Sequence, residues 1–421
     1  MLKINTAKIK ITPEGDYFPC YLCGHAIRTE KAKGILNDIY VTCIVLKINA
    51  ERLIWCSFDL AGLNKKDSDR MITTISKKYG IPKENINLSF VHTHSGPEFD
   101  EKSPFAGKER GAVPGYMDFI EQQLYNVVDE AINGDSTAVK AWFNVTKIDG
   151  FYGNRNGLDR LSDKDITTIV FKDEKDVAIA GICNFSCHPT VLGPQNLYIS
   201  ADLAGFLADA LSEKWGCNFL IMQGAAGDMS NRQYRQGYDQ KELERTGNGI
   251  MAQLTSNSTM EPLEIENVKV LTYTYRKTFQ TSLEKKQQQL KDTEMRVANA
   301  KNFDEKKVYT SALAFASLEV ENFQPTYTLE LHCSYYVLGE LSMFTMPAEL
   351  FSKFGIEIKK AMNNKCNIFW GYSNYSVGYL YGKENAGESF ESIVSDIPAG
   401  VTEEIISEIK EFINQNQPGA A

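Results

Sequence analysis

The chain predicts an α/β layer structure in a single large domain, on three observations. Strand-like and helix-like segments alternate from one end of the 421 residues to the other, the order that lets helices cover sheets. No proline- or glycine-rich linker divides the chain, and no internal repeat is visible. At 43% hydrophobic and 24% charged residues, the composition is that of ordinary globular protein with apolar sequence enough for a sizeable core.

Each element follows from local pattern. Residues 6–12, 39–48 and 53–58 alternate or run apolar and read as strands. Residues 67–79 have helical spacing and stop at Gly80, with Pro82 beyond. The run 86–91 is a short apolar strand, broken soon after by Gly96-Pro97, and 117–132 is an amphipathic helix stopped by Gly134. Residues 138–148, 166–171 and 177–185 read as strands, the last two joined by the tight polar turn 172–176. A helix over 202–215 precedes a buried strand at 219–222 that runs into a glycine-rich turn. Residues 283–300 and 305–320 read as a charged helical hairpin, a lid or insertion within 275–325. Strands return at 327–337 and 341–344, helices at 348–362 and 402–412, and a polar tail, 414–421, is expected to fray. The globular unit is therefore 1–413.

Charge and cysteine content exclude several classes. The net charge is -9 and no lysine/arginine stripe appears, which argues against a nucleic-acid partner. The densest basic pairs, Lys285-Lys286 and Lys306-Lys307, stand among glutamates and glutamines and read as a solvated helix face. No apolar run reaches the roughly 18–20 residues of a transmembrane segment. The first residues begin an alternating strand rather than a signal peptide. With nine cysteines scattered through apolar segments, reduced thiols and a cytoplasmic location are expected. Cys20-x-x-Cys23 is the only close pair, and no second pair completes a four-thiolate site. Oligomeric state is not legible.

Three stretches could carry chemistry. His92-Thr93-His94-Ser95-Gly96-Pro97 follows the apolar run, and residues i and i+2 of a strand point the same way, so both rings could reach one site. One would be a metal ligand and the other a neighbouring acid or base, or the pair could be merely a polar strand end. His188, in Asn184-Phe185-Ser186-Cys187-His188-Pro189, again ends an apolar strand before proline, as a metal ligand or as a histidine satisfied by loop backbone. Gln223-Gly224-Ala225-Ala226-Gly227-Asp228-Met229-Ser230 is a glycine-rich turn through which backbone can approach a ligand. It lacks the Gly-Lys-Ser/Thr ending of a phosphate loop and the Gly-x-Ser-x-Gly elbow of α/β-hydrolases.

In type and order these motifs resemble the neutral/alkaline ceramidase family. The match comprises His-Thr-His-Ser-Gly-Pro, Asn154-Arg155, a later histidine followed by Ser200-x-Asp202-x-x-Gly205, and Gln-x-x-x-Gly-Asp-x-Ser. Pro347-Ala348-Glu349-Leu350 and the Asn374-to-Tyr379 segment complete it, so that it spans Ile11 to about Glu391. The resemblance implies a mixed β-sheet core flanked by helices, without the C-terminal β-sandwich of longer members. It implies a zinc (Zn2+) amidohydrolase that splits an N-acyl bond with metal-activated water, on ceramide or a related lipid in sphingolipid metabolism. Carried over by position, the metal ligands would be His92, His188, Glu349 and Tyr379. His94 would be the acid/base, Arg155 would orient substrate, and Ser230 would face the scissile carbonyl as nucleophile or polarising group. From the residues alone, Glu349 fits a first helical turn, Tyr379 packing, Ser230 a helix cap and Arg155 a surface ion pair. Asp202 and Asp228 read either as carboxylates behind the ligands or as an N-cap and a turn residue. The family's Pro-Asn after Gly-Asp-x-Ser is replaced here by Asn231-Arg232, and a family tyrosine by Phe390. These departures leave open a smaller, more polar N-acyl substrate (sugar, amino acid or peptide fragment). A non-catalytic binding protein on the same fold is the remaining alternative.

Overall fold

The computed structural model describes residues 1–100, 111–257 and 259–417. Three principal sheets form, and each is antiparallel except for one parallel pair at an edge. The first contains β1 (Leu2–Lys10), β2 (Tyr40–Ile48), β3 (Glu51–Phe58) and β4 (Ile86–Phe90), in the order β4-β3-β2-β1, with the short strand Thr137–Ala138 beyond β1. Helix α1 (Lys65–Tyr79) connects β3 to its parallel neighbour β4, and α2 (Tyr116–Asn133) follows. The second contains β5 (Lys140–Lys147), β6 (Asp165–Lys172), β7 (Ala178–Phe185) and β8 (Asn218–Gln223), with the short strand Glu261–Leu263 beyond β5 and α3 (Asp202–Trp215) between the parallel pair β7 and β8. Helix α4 (Gln240–Ser256) follows it.

The third sheet contains β9 (Val268–Gln280), β10 (Thr326–Leu338), β11 (Leu341–Thr345) and β12 (Cys366–Trp370), the last two parallel. The helical hairpin α5 (Leu283–Ala298) and α6 (Phe303–Glu321) leaves from β9 and returns to β10. Helix α7 (Ser352–Met362) lies between β11 and β12, and α8 (Val401–Gln415) ends the described chain. All three sheets contribute to one core, in which Trp55 meets Tyr336 and Trp370 edge-on, with centroids 6.0 Å apart in each pair. Truncating such a buried indole costs roughly 3–5 kcal/mol. Helices α1 to α4 cover the outer faces of the first two sheets, and α7 and α8 cover the third. The nine cysteines are all free thiols. No helix among the described residues is long and apolar enough to cross a membrane.

Several expectations need correction. The helix expected over 348–362 starts only at Ser352, and Glu349–Leu350 pairs instead, in parallel, with Tyr379–Leu380. Two backbone bonds hold it extended: Glu349 N–H to the Gly378 carbonyl and Gly227 N–H to the Leu350 carbonyl, each 2.9 Å. The tail expected from residue 414 begins later, because α8 runs through Gln415 with Ile413 buried; positions 418–421 lie outside the described residues. Lys286 and Lys307 are buried rather than solvated, the first bonded to Glu319 and Asp396, the second to Asp304. The hairpin packs back on the body of the protein, so tertiary contact overrides its polar composition. Helix α4 and strands β9 and β12 were not expected from the pattern: β9 carries lysines, an arginine and threonines on an exposed face, and β12 is a five-residue buried run.

Candidate metal centre

The parallel edge pairs of all three sheets point their C-terminal ends at one place, where α/β architectures present ligand sites. His92 and His94 follow β4, His188 follows β7, and Ser230 follows β8. Glu349 follows β11, and Tyr372 and Tyr379 follow β12.

His92 reaches the site by a route other than the strand pleat. Strand β4 stops at Phe90, and His92 adopts φ +67°, a left-handed conformation that costs a non-glycine residue energy. Its N–H donates to the Leu60 carbonyl at 2.9 Å and its Nδ1–H to the Ala61 carbonyl at 2.6 Å. His188 is fully buried and does the same, Nδ1–H donating to the Ala226 carbonyl at 2.6 Å. A carbonyl only accepts, so each ring carries a proton on Nδ1, and in its neutral form turns an Nε2 lone pair inward, the arrangement that orients metal-ligating histidines.

They face a single atom. Glu349 Oε2 lies 3.3 Å from His92 Nε2 and 3.1 Å from His188 Nε2, yet makes no hydrogen bond of acceptable geometry. Burial works to raise the Glu349 pKa, but His92 and His188 outweigh it and hold the carboxyl below its usual range. Burial pushes His92 down, and the Glu349 charge more than reverses that. His188 falls to about 4 through burial and the Arg155 charge, so its imidazole is neutral near pH 7. A buried carboxylate against two inward lone pairs demands positive charge between them, and a divalent cation meets that demand.

Around this point stand the other candidates. Tyr379 Oη is 3.5 Å from His188 Nε2 and accepts from Arg155 Nη2 at 3.3 Å. Arg155 is a buried residue, not a surface one, and its Nε donates to Glu391 Oε1 at 2.5 Å. The His94 ring lies 5.0 Å from that of His92, and its Nδ1 is buried without a hydrogen bond. Burial and then the charges of His92 and His25 drive its pKa far below the ordinary value. Ring nitrogens of His92, His94 and His188 all lie within 4.8 Å of one another. Ser230 caps no helix; it sits on a two-residue strand against Gly153–Asn154, and its Oγ accepts from the Arg232 N–H at 3.1 Å.

These groups open on a cavity of about 340 Å³ whose walls include Leu63, Phe99, Phe315 and Phe390 beside the polar residues. Two glycines permit the geometry. A Cβ on Gly24 would lie 2.4 Å from the His94 ring, and one on Gly227 would lie 2.4 Å from the Glu349 carbonyl oxygen.

The remaining motif residues hold loops rather than face the cavity. Asp202 accepts from the N–H groups of Val191, Leu192 and Leu203, which ties the segment after His188 to α3. Asp228 accepts from Asn154 Nδ2 at 2.6 Å and the Ser352 N–H at 2.7 Å, joining the Arg155 strand to α7. The Leu88 N–H donates to Asn374 Oδ1 at 3.0 Å, docking the Tyr379 loop on β4. Cys20 and Cys23 are buried as thiols: burial pushes Cys20 up to about 12, and Cys23 Sγ donates to the Thr93 carbonyl. Sequence reasoning missed Glu391 as the partner of Arg155, and missed Tyr372, whose ring lies 4.7 Å from that of His92. No local signal marks either one.

No protein-family model matches the chain. Among solved structures the chain resembles the neutral ceramidase of Pseudomonas aeruginosa, with TM-score 0.73 and 17% identity over 99% of this chain and 75% of that one. It likewise resembles a ceramidase complexed with C2, with TM-score 0.75 and 16% identity over 99% of this chain and 76% of that one. The chain therefore has the fold of those proteins, mixed sheets flanked by helices.

Proposed function

We propose that this chain, with the fold of neutral ceramidase, is a zinc-dependent amidohydrolase that cleaves the amide of an N-acyl substrate. One observation carries the reading: two Nδ1-protonated imidazoles and one carboxylate direct three unshared electron pairs at a common point, with no hydrogen bond among them. His92, His188 and Glu349 would hold the ion, with the Tyr379 hydroxyl as a further ligand. Two imidazoles and a carboxylate are the donor set of catalytic zinc sites that keep a position open, whereas calcium and magnesium favour oxygen. When bound, zinc supplies Lewis acidity toward an amide carbonyl and toward water.

The chain's own residues supply the rest. His94, neutral near pH 7 and on the cavity wall, can accept a proton on its imidazole and return it to the departing amine. Arg155, anchored by Glu391, holds the Tyr379 hydroxyl in place. Ser230, on the cavity wall, is placed to donate to the scissile carbonyl oxygen. Leu63, Phe99, Phe315 and Phe390 offer an acyl chain an apolar surface, which supports a lipid-like N-acyl group, ceramide among the candidates. Metal analysis of the purified protein, with a panel of N-acyl amides assayed against wild type and His94→Ala, tests this. About one equivalent of zinc is expected, turnover of at least one amide, and a loss of roughly 10²–10⁴-fold in the variant. Less than about half an equivalent, with no turnover on adding zinc, overturns it.

A further inference from the structure

The cavity has a cationic end that amide cleavage does not require. Arg232, Arg235 and Lys307 line it together with Ser230. The Arg232 guanidinium has no hydrogen-bond or ion-pair partner among the described residues, although its backbone N–H is bonded to Ser230 Oγ. It is enclosed by protein yet reached through the cavity; burial, then the Arg155 charge, pushes its pKa down to about 10. Arg235 lies over the Tyr238 ring, 4.4 Å from its centroid, and donates Nη2–H to the Thr190 carbonyl at 2.9 Å and to Asn231 Oδ1 at 2.7 Å, while its Nε and Nη1 are buried without a hydrogen bond. Lys307 has Asp304 at 3.0 Å, and Asp304 also accepts from the Tyr238 hydroxyl. Of the acids nearest these three cations, Asp304 is engaged by Lys307 and Tyr238, and Glu391 by Arg155, while Glu98, Asp100 and Glu349 also line the cavity. Buried donors left over in this way destabilise the free protein, and a ligand that accepts from them removes the penalty.

The same wall changes character along its length. Lys307, Ser311 and Phe315 all line the cavity from α6. At i, i+4 and i+8 they follow one face of the helix, spanning about 12 Å from the charged to the apolar end. We propose that the substrate is an amphiphilic amide with an anionic group, a carboxylate, sulfonate or phosphate, seated between Arg232 and Arg235, its apolar chain running toward Phe315. Guanidinium groups suit planar or tetrahedral oxyanions because their donors form a fork. This rests on the amidohydrolase reading and goes beyond it by naming the charge of the substrate.

The test compares amides that share one acyl chain: N-acylglycine, N-acyltaurine and phosphorylated N-acylethanolamine against neutral N-acylethanolamine. For at least one anionic amide, kcat/KM in wild type should exceed that for the neutral one by roughly tenfold or more. Arg232→Met should lower that ratio by roughly tenfold to a hundredfold, and Arg232→Lys should recover part of it. Arg232→Met should melt close to wild type, since the guanidinium it removes is only partly buried and has no hydrogen-bond or ion-pair partner among the described residues, so a lost preference is not misfolding. A wild-type preference for the neutral amide, or a ratio unmoved by Arg232→Met while amides are still cleaved, overturns the anionic site and leaves the hydrolase reading standing. If no amide is cleaved, the hydrolase reading fails, and the site is judged by thermal shift alone. N-acylglycine then raises the Tm of wild type but not of Arg232→Met, or else the anionic site falls too.

Discussion

Replacing Glu391 by glutamine isolates the buried charge pair behind the candidate centre. Glu391 is fully buried, 2.5 Å from Arg155 Nε, and its second oxygen accepts from Asn156 Nδ2 at 3.2 Å. Burial works to raise its pKa, and Arg155 outweighs that, so the folded value lies below the ordinary 4.5. Removing one member of a buried pair leaves the other charge uncompensated, at roughly 3–5 kcal/mol. Glutamine keeps an acceptor oxygen, which places Glu391→Gln at the lower end, about 3 kcal/mol. An unfolding entropy of about 2.1 cal/mol/K per residue over 421 residues converts this to a fall in Tm of about 3–4 °C. Calorimetry on Glu391→Gln, Arg155→Met and the double variant measures it, and the double should cost less than the sum of the singles. The pH dependence has a definite sign. The pair's contribution is present above the unfolded pKa and disappears as pH falls through the folded one, so wild type and variant should converge in acid. Because Arg155 also bonds the Tyr379 hydroxyl, amide turnover should drop roughly 10–100-fold. A Tm within 1 °C of wild type, with additive singles, would refute the claim that this pair is buried and coupled.

Two further perturbations test other parts of the reasoning. Gly227→Ala places a Cβ where the Glu349 carbonyl oxygen lies 2.4 Å away, so Glu349 must move. Zinc affinity by competition titration should fall at least roughly tenfold and stability by roughly 1–3 kcal/mol; unchanged zinc retention would show that Glu349 is no ligand. Lys307 is lowered to about 8 by burial and then by Arg235, with Arg232 adding to the effect and Asp304 opposing it. A lysine depressed in the folded state makes the unfolded chain bind more protons between about pH 8 and 10.5, so stability should rise with pH across that window. Lys307→Met should therefore stabilise at pH 7, by at most about 3 kcal/mol, and the gain should vanish near pH 10.5 in urea titrations. A gain that persists at that pH would contradict the assigned cause.

The sequence spoke clearly where period was strong. The strands around residues 40, 54, 168 and 182, the helix 202–215 and both arms of the hairpin emerge within a few residues of their places. Hydrophobic periodicity is local and survives without knowledge of the rest of the fold. It failed at Glu349, where a helix-start pattern was drawn into a strand by bonds from Gly227 and to Gly378. It failed again at Lys286 and Lys307, whose polar neighbours hid two buried lysines paired with more exposed acids. His92 and His94 do adjoin one another, though through a left-handed residue beyond the strand end rather than through the pleat.

By itself, then, the sequence determined the alternating elements, the acidic balance and the set of residue types from which a metal centre could be made. Which of them meet was decided by tertiary structure alone. Glu391 reaches Arg155 across 236 positions, and Arg232 and Lys307 share a cavity because the hairpin folds back over it. Such meetings depend on how three sheets pack about one core, and packing acts between surfaces that neighbouring residues in the chain do not specify.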